Sequence, residues 1–137
     1  SPEQALGDRP VDGRSDLYAL GCVAYWLLTG SLVFQKNTPT ALAVAHAQAV
    51  PEPPSMRTEL PIPPSLDALV LDCLAKSPAA RPASADDLAQ RLEALTDVPR
   101  WGRTQARAWW DLHAPVDLAR RRATAGPASG KLVLPQR

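Results

Sequence analysis

Few residues in this chain have the type and spacing to do chemistry. The two thiols, Cys22 and Cys73, stand far apart inside apolar helical patterns and form no CxxC pair. They read as two buried thiols in a reducing compartment. His46 and His113 are isolated and have no ligand spacing, so no metal centre is expected. The glycines are scattered rather than clustered, so there is no Gly-rich loop to cradle phosphates. Asp16 opens an apolar helical run, where a carboxylate complements the positive end of the helix dipole. These residues alone predict no catalytic centre, and the elements around them must carry the reading.

The chain has 137 residues and a net charge of +1, unevenly spread. Residues 1–99 hold seven Lys/Arg against twelve Asp/Glu, and residues 100–137 hold eight against two. That shift predicts a first domain over 1–97 and a basic, Trp-containing tail over 98–137, partly disordered. The longest apolar run, Leu17 to Leu28, is shorter than the about 20 residues that span a bilayer. No membrane segment or signal peptide is visible, and the cytoplasm is the default compartment.

The stretch SDLYALGCVAYWLLTG predicts a helix capped by Ser15 and stopped by Gly30. Its apolar residues fall on every face, which predicts a buried hub. TPTALAVAHAQAV predicts a shorter surface helix, with Thr38 as cap and Pro39 at its first position. PEPPSMRTELPIPPS carries six prolines and predicts an extended loop. SLDALVLDCLAK predicts an amphipathic helix capped by Ser65, and Ser84 with Asp87 opens a last one on Leu88, Leu92 and Leu95. WGRTQARAWWDLHAP predicts a short helix carrying Trp109 and Trp110. No strand is expected.

Three spaced signatures narrow this further. Ser1-Pro2-Glu3 resembles the Ala-Pro-Glu motif that closes the activation segment of protein kinases. Asp16-Leu17-Tyr18-Ala19-Leu20-Gly21 resembles the start of the central helix of the kinase C-lobe. Leu74 to Pro82, with Arg81 before the final helix, resembles the segment that precedes the last helix of that lobe. Each motif alone is weak, but their order and gaps together are specific. Residues 1–95 resemble the C-terminal part of the C-lobe of a bacterial eukaryotic-like serine/threonine protein kinase. Ser1 replaces the usual Ala, and Tyr18 stands where many kinases carry Trp.

The resemblance implies an all-α chain, the helical C-lobe portion of the protein-kinase-like α+β fold. It implies a structural ion pair between Glu3 and Arg81, and a role for Asp16 as anchor of the catalytic loop. Ser1, Pro2 and Glu3 would form a substrate-proximal loop. The helix over 39–49, with Leu42, Val44 and His46, would be a docking helix. The parent would be a serine/threonine protein kinase using ATP and Mg²⁺ on protein Ser/Thr acceptors. The phosphate loop, the strand Lys, the catalytic Asp with its Asn and the Mg²⁺-binding Asp of such enzymes have no counterpart in this sequence. The chain is therefore expected to be a fragment, inactive alone, binding no ATP or Mg²⁺ and partnered by the missing N-lobe and catalytic loop.

A second reading is a non-catalytic interaction module, a remnant kinase lobe that binds a protein partner through residues 39–49 or the tail. For the tail itself, including Arg120-Arg121-Arg122, a solvated basic end is expected rather than contact with nucleic acid or acidic lipid headgroups, and Trp101, Trp109 and Trp110 are expected to pack back onto the lobe rather than stack on bases.

Overall fold

The computed structural model describes residues 1–7 and 10–113. They form six α-helices joined by loops and two 3₁₀ turns: α1 (Pro2–Leu6), α2 (Arg14–Thr29), α3 (Pro39–Gln48), α4 (Pro64–Cys73), α5 (Ala85–Glu93) and α6 (Arg103–His113). No strand occurs among the described residues. The chain divides into two compact units, 1–99 and 100–137.

Local chemistry sets most of the helix ends. Thr38 caps α3 by accepting from the Ala41 N–H at 3.1 Å, and Pro39 takes the first position. Ser84 caps α5 by accepting from the Asp87 N–H at 3.1 Å, while the Asp87 carboxylate accepts from the Ala83 N–H at 2.8 Å. Gly30 ends α2 at φ 66°, a left-handed conformation in which a Cβ would be strained.

Three details differ from the sequence expectation. Ser1-Pro2-Glu3 opens the short helix α1 rather than a loop, with Gln4 Oε1 accepting from the Ser1 hydroxyl at 2.9 Å. Ser15 does not cap α2; the helix starts at Arg14, and the buried Ser15 hydroxyl is taken by a distant carboxylate. Ser65 does not cap α4, which starts at Pro64; its hydroxyl donates to Asp97 instead. The proline-rich loop also contains a single 3₁₀ turn at Pro54–Met56.

The core of the first unit gathers on one side of α2. Tyr18 and Tyr25 pack with Val33, Phe34, Ala45, Val70 and Leu74. Helix α4 approaches α2 closely because Gly21 has no side chain: a Cβ there would stand 2.8 Å from the Cβ of Cys73. Helix α2 is not buried all round, however. Leu20, Val23, Trp26 and Leu27 are each at least half exposed, so among the described residues the hub buries one face, against α4, the 3₁₀ turn at Pro54–Met56 and the core residues Val33, Phe34 and Ala45.

In the second unit, α6 carries Trp109 and Trp110 edge to face, their centroids 4.9 Å apart, and His113 stacks on Trp109 at 4.6 Å. The expectations placed on Arg120-Arg121-Arg122 and the rest of 114–137 lie outside the described residues.

Candidate functional site

The structure brings Glu3 and Arg81 together across 78 positions of sequence. The guanidinium donates to both carboxylate oxygens of Glu3, each at 2.8 Å. Both side chains are almost wholly out of solvent, 0 % exposed for Arg81 and 2 % for Glu3. Such a pair holds only if every remaining donor is satisfied. Here it is: Arg81 also donates to the carbonyls of Ala75 at 2.8 Å, Arg14 at 2.8 Å and Lys76 at 3.4 Å. The Ser15 hydroxyl gives Glu3 a further hydrogen bond at 2.5 Å. Arg81 holds the Glu3 carboxyl well below the usual carboxylate range, against the burial that pushes it up, and Ser15 adds to the depression.

Beside this pair lies a second polar cluster, which the sequence reading missed. The Arg81 guanidinium stands 4.9 Å from the centre of the Tyr18 ring. The Tyr18 hydroxyl meets His46 Nδ1 at 2.9 Å. Lys76 Nζ donates to the His46 carbonyl at 2.9 Å and sits 4.7 Å from the centre of the Phe34 ring. Burial raises the Tyr18 phenol and lowers both His46 and Lys76, and the nearby Lys76 charge lowers His46 further. The only sequence signal for this cluster is a Lys, a Tyr and a His on three different elements, which no local pattern connects.

The three residues singled out on α3 therefore part company. Val44 is exposed, Leu42 packs against the core and His46 is turned inward to Tyr18. Pro2 and Glu3 are buried, while Ser1 is half-buried. Asp16 is exposed, and its carboxylate has no hydrogen-bond partner among the described residues. It lines an open depression with Asp12, Gly13, Arg14, Ala83 and Ser84. Cys73 is buried, and burial pushes its thiol up to about 11; Cys22 is only half-buried and is raised for the same reason.

Among the described residues no group of three or more His, Cys, Asp or Glu side chains converges to hold a metal ion. The glycines at 7, 13, 21, 30 and 102 sit at separate helix ends or helix contacts rather than in one loop. Among the described residues neither a carboxylate cluster for Mg²⁺ nor a glycine-rich loop for the phosphates of ATP comes together. No described helix is long and apolar enough to cross a membrane. What the buried pair can do chemically is hold: it fixes α1, the start of α2 and the loop before α5 to one another.

Known proteins carry the same pattern. No family model matches the chain. The serine/threonine-protein kinase pkn3 of Myxococcus xanthus is 37% identical over 94% of this chain and 24% of its own length. The serine/threonine-protein kinase PknB of Mycolicibacterium smegmatis is 51% identical over 57% of this chain and 12% of its own. PknB of Mycobacterium tuberculosis is 48% identical over 64% of this chain and 14% of its own. The chain thus spans about a quarter or less of the length of these curated relatives. With that similarity and an all-helical fold of the kind the C-lobe provides, the chain is similar to the C-terminal part of the kinase region of bacterial serine/threonine protein kinases.

Proposed function

We infer that this chain is the C-lobe portion of a cytoplasmic serine/threonine protein kinase that uses ATP and Mg²⁺ to phosphorylate Ser and Thr hydroxyls of proteins. Its own part is scaffold and substrate-facing surface, and it transfers no phosphate alone. The observation that carries this reading is the buried Glu3–Arg81 pair. Phosphoryl transfer between an ATP and a peptide hydroxyl depends on positioning. A bidentate clamp is well suited to fix the segment Ser1-Pro2-Glu3, on which an acceptor peptide would rest. Asp16, exposed at the start of α2, would accept backbone N–H groups of a catalytic loop. Val44 is the α3 side chain best placed to meet a docking protein.

The test has two arms. Incubation of the chain with labelled ATP, Mg²⁺ and a generic Ser/Thr-containing acceptor protein should give no phosphate transfer. The coding DNA upstream of Ser1 should continue in frame through H-R-D-x-x-x-x-N and D-F-G motifs. Transfer by the chain alone, or a stop codon directly before Ser1, would overturn the reading.

A further inference from the structure

The most distinctive surface outside the buried pair is α6, and it has no role in the kinase reading. Its residues sort by face. Ala106, Trp109, Trp110 and His113 recur at helical spacing along one stripe, while Arg103, Arg107 and Asp111 recur four apart along another. Arg103, Thr104, Arg107 and Asp111 line one shared concavity, so the polar stripe is continuous in space. Trp109 is 44% exposed, Trp110 50% and the adjoining Leu112 79%. Large aromatic surface of this kind, flanked by arginines, needs a partner that is apolar at one depth and charged at the next.

We propose that α6 is an interfacial helix that lies on an anionic lipid surface, its tryptophans at headgroup level and Arg103 and Arg107 on lipid phosphates. The charge fits. Residues 100–137 carry eight Lys/Arg and two Asp/Glu, and Asp111 is the one acid on the basic stripe of α6. The length fits as well: at 11 residues α6 is too short to cross a bilayer and is suited to lying along one. The ring geometry argues against stacking on nucleic-acid bases. One face of Trp109 is already covered by His113, and Trp110 stands edge-on to it at 87°. The two rings make an apolar block rather than an open platform.

The experiment is flotation of the whole chain with vesicles of equimolar phosphatidylcholine and phosphatidylglycerol, and with phosphatidylcholine alone. The chain should float with the anionic vesicles only, and added salt should weaken its binding. R103Q/R107Q should lower the partition constant by about 30-fold, from about 1 kcal/mol for each arginine at an anionic surface. W109S/W110S should lower it at least as far. Equal flotation with both vesicle types, flotation with neither, or full binding by either double variant would overturn the proposal. So would duplex DNA that displaces the chain from anionic vesicles and binds it with no loss in W109S/W110S. The double variants also separate α6 from the exposed apolar residues of α2, which they leave unchanged.

Discussion

Arg81 offers the sharpest test of what holds the first unit together. Replacing it with Met keeps much of the stem volume and removes the charge. Glu3 would then lose both guanidinium hydrogen bonds while staying at 2 % exposure beside Ser15, and the carbonyls of Ala75, Arg14 and Lys76 would lose their shared donor. Breaking a buried pair from one side costs about 3–5 kcal/mol, and the three carbonyls place Arg81→Met at the upper end, about 5 kcal/mol. Glu3→Gln leaves Arg81 its carbonyls and one oxygen, so it belongs at the lower end, about 3 kcal/mol. Urea unfolding followed by far-ultraviolet circular dichroism measures both. Arg57→Met, which breaks the exposed Arg57–Glu52 contact, is the control and should move the midpoint little. The double variant Glu3→Gln/Arg81→Met should cost less than the sum of the singles, since each leaves the other's partner stranded. The pH dependence has a definite sign. Glu3 is depressed in the folded chain, so below about pH 4.3 the unfolded chain binds more protons and stability falls with pH. Glu3→Gln should flatten that acid limb. If both single variants cost under about 1 kcal/mol, the pair behaves as an exposed one and the clamp is refuted.

Three further outcomes follow from the packing. Gly21→Ala should destabilise the first unit by about 1–3 kcal/mol, because its methyl would stand 2.8 Å from the Cys73 Cβ; a thermal melt measures it. Tyr25→Phe should leave stability unchanged or raise it by about 1 kcal/mol in urea, since the buried Tyr25 hydroxyl has no hydrogen-bond partner among the described residues. His46 is lowered by burial and by Lys76, so its share of stability is present above about pH 6.5 and lost as pH falls through its folded value. His46→Gln should remove that part of the acid dependence, read as a urea midpoint that drops less steeply as pH falls below about 6.5.

Cap chemistry is legible in the sequence where the partner is a few residues away. Thr38, Ser84 and Gly30 act where their types and positions place them, because each answers to the backbone of its own helix. Ser15 and Ser65 fail the same rule for one reason: a carboxylate from far along the chain, Glu3 or Asp97, takes the hydroxyl first. The hub helix fails differently. Hydrophobicity tells how much of α2 could be buried, not how many neighbours come to cover it, and Trp26 and Leu27 remain half or more exposed. The meeting of Glu3 with Arg81 was suggested only by family resemblance, since no local pattern links residues 78 positions apart. The inward turn of His46 had no signal at all, because it depends on Tyr18 and Lys76 arriving from two other elements.

The acceptors gathered by Arg81 have a kinetic consequence. Helix α1 is five residues long, below the length at which an isolated helix persists in water. Yet its Glu3 shares one guanidinium with the carbonyls of residues 14, 75 and 76. Release of α1 must therefore strip the guanidinium of its counter-charge, which loosens its hold on the loop before α5 as well. The two segments are expected to exchange amide hydrogens as a single opening unit, protected far beyond what so short a helix would sustain by itself.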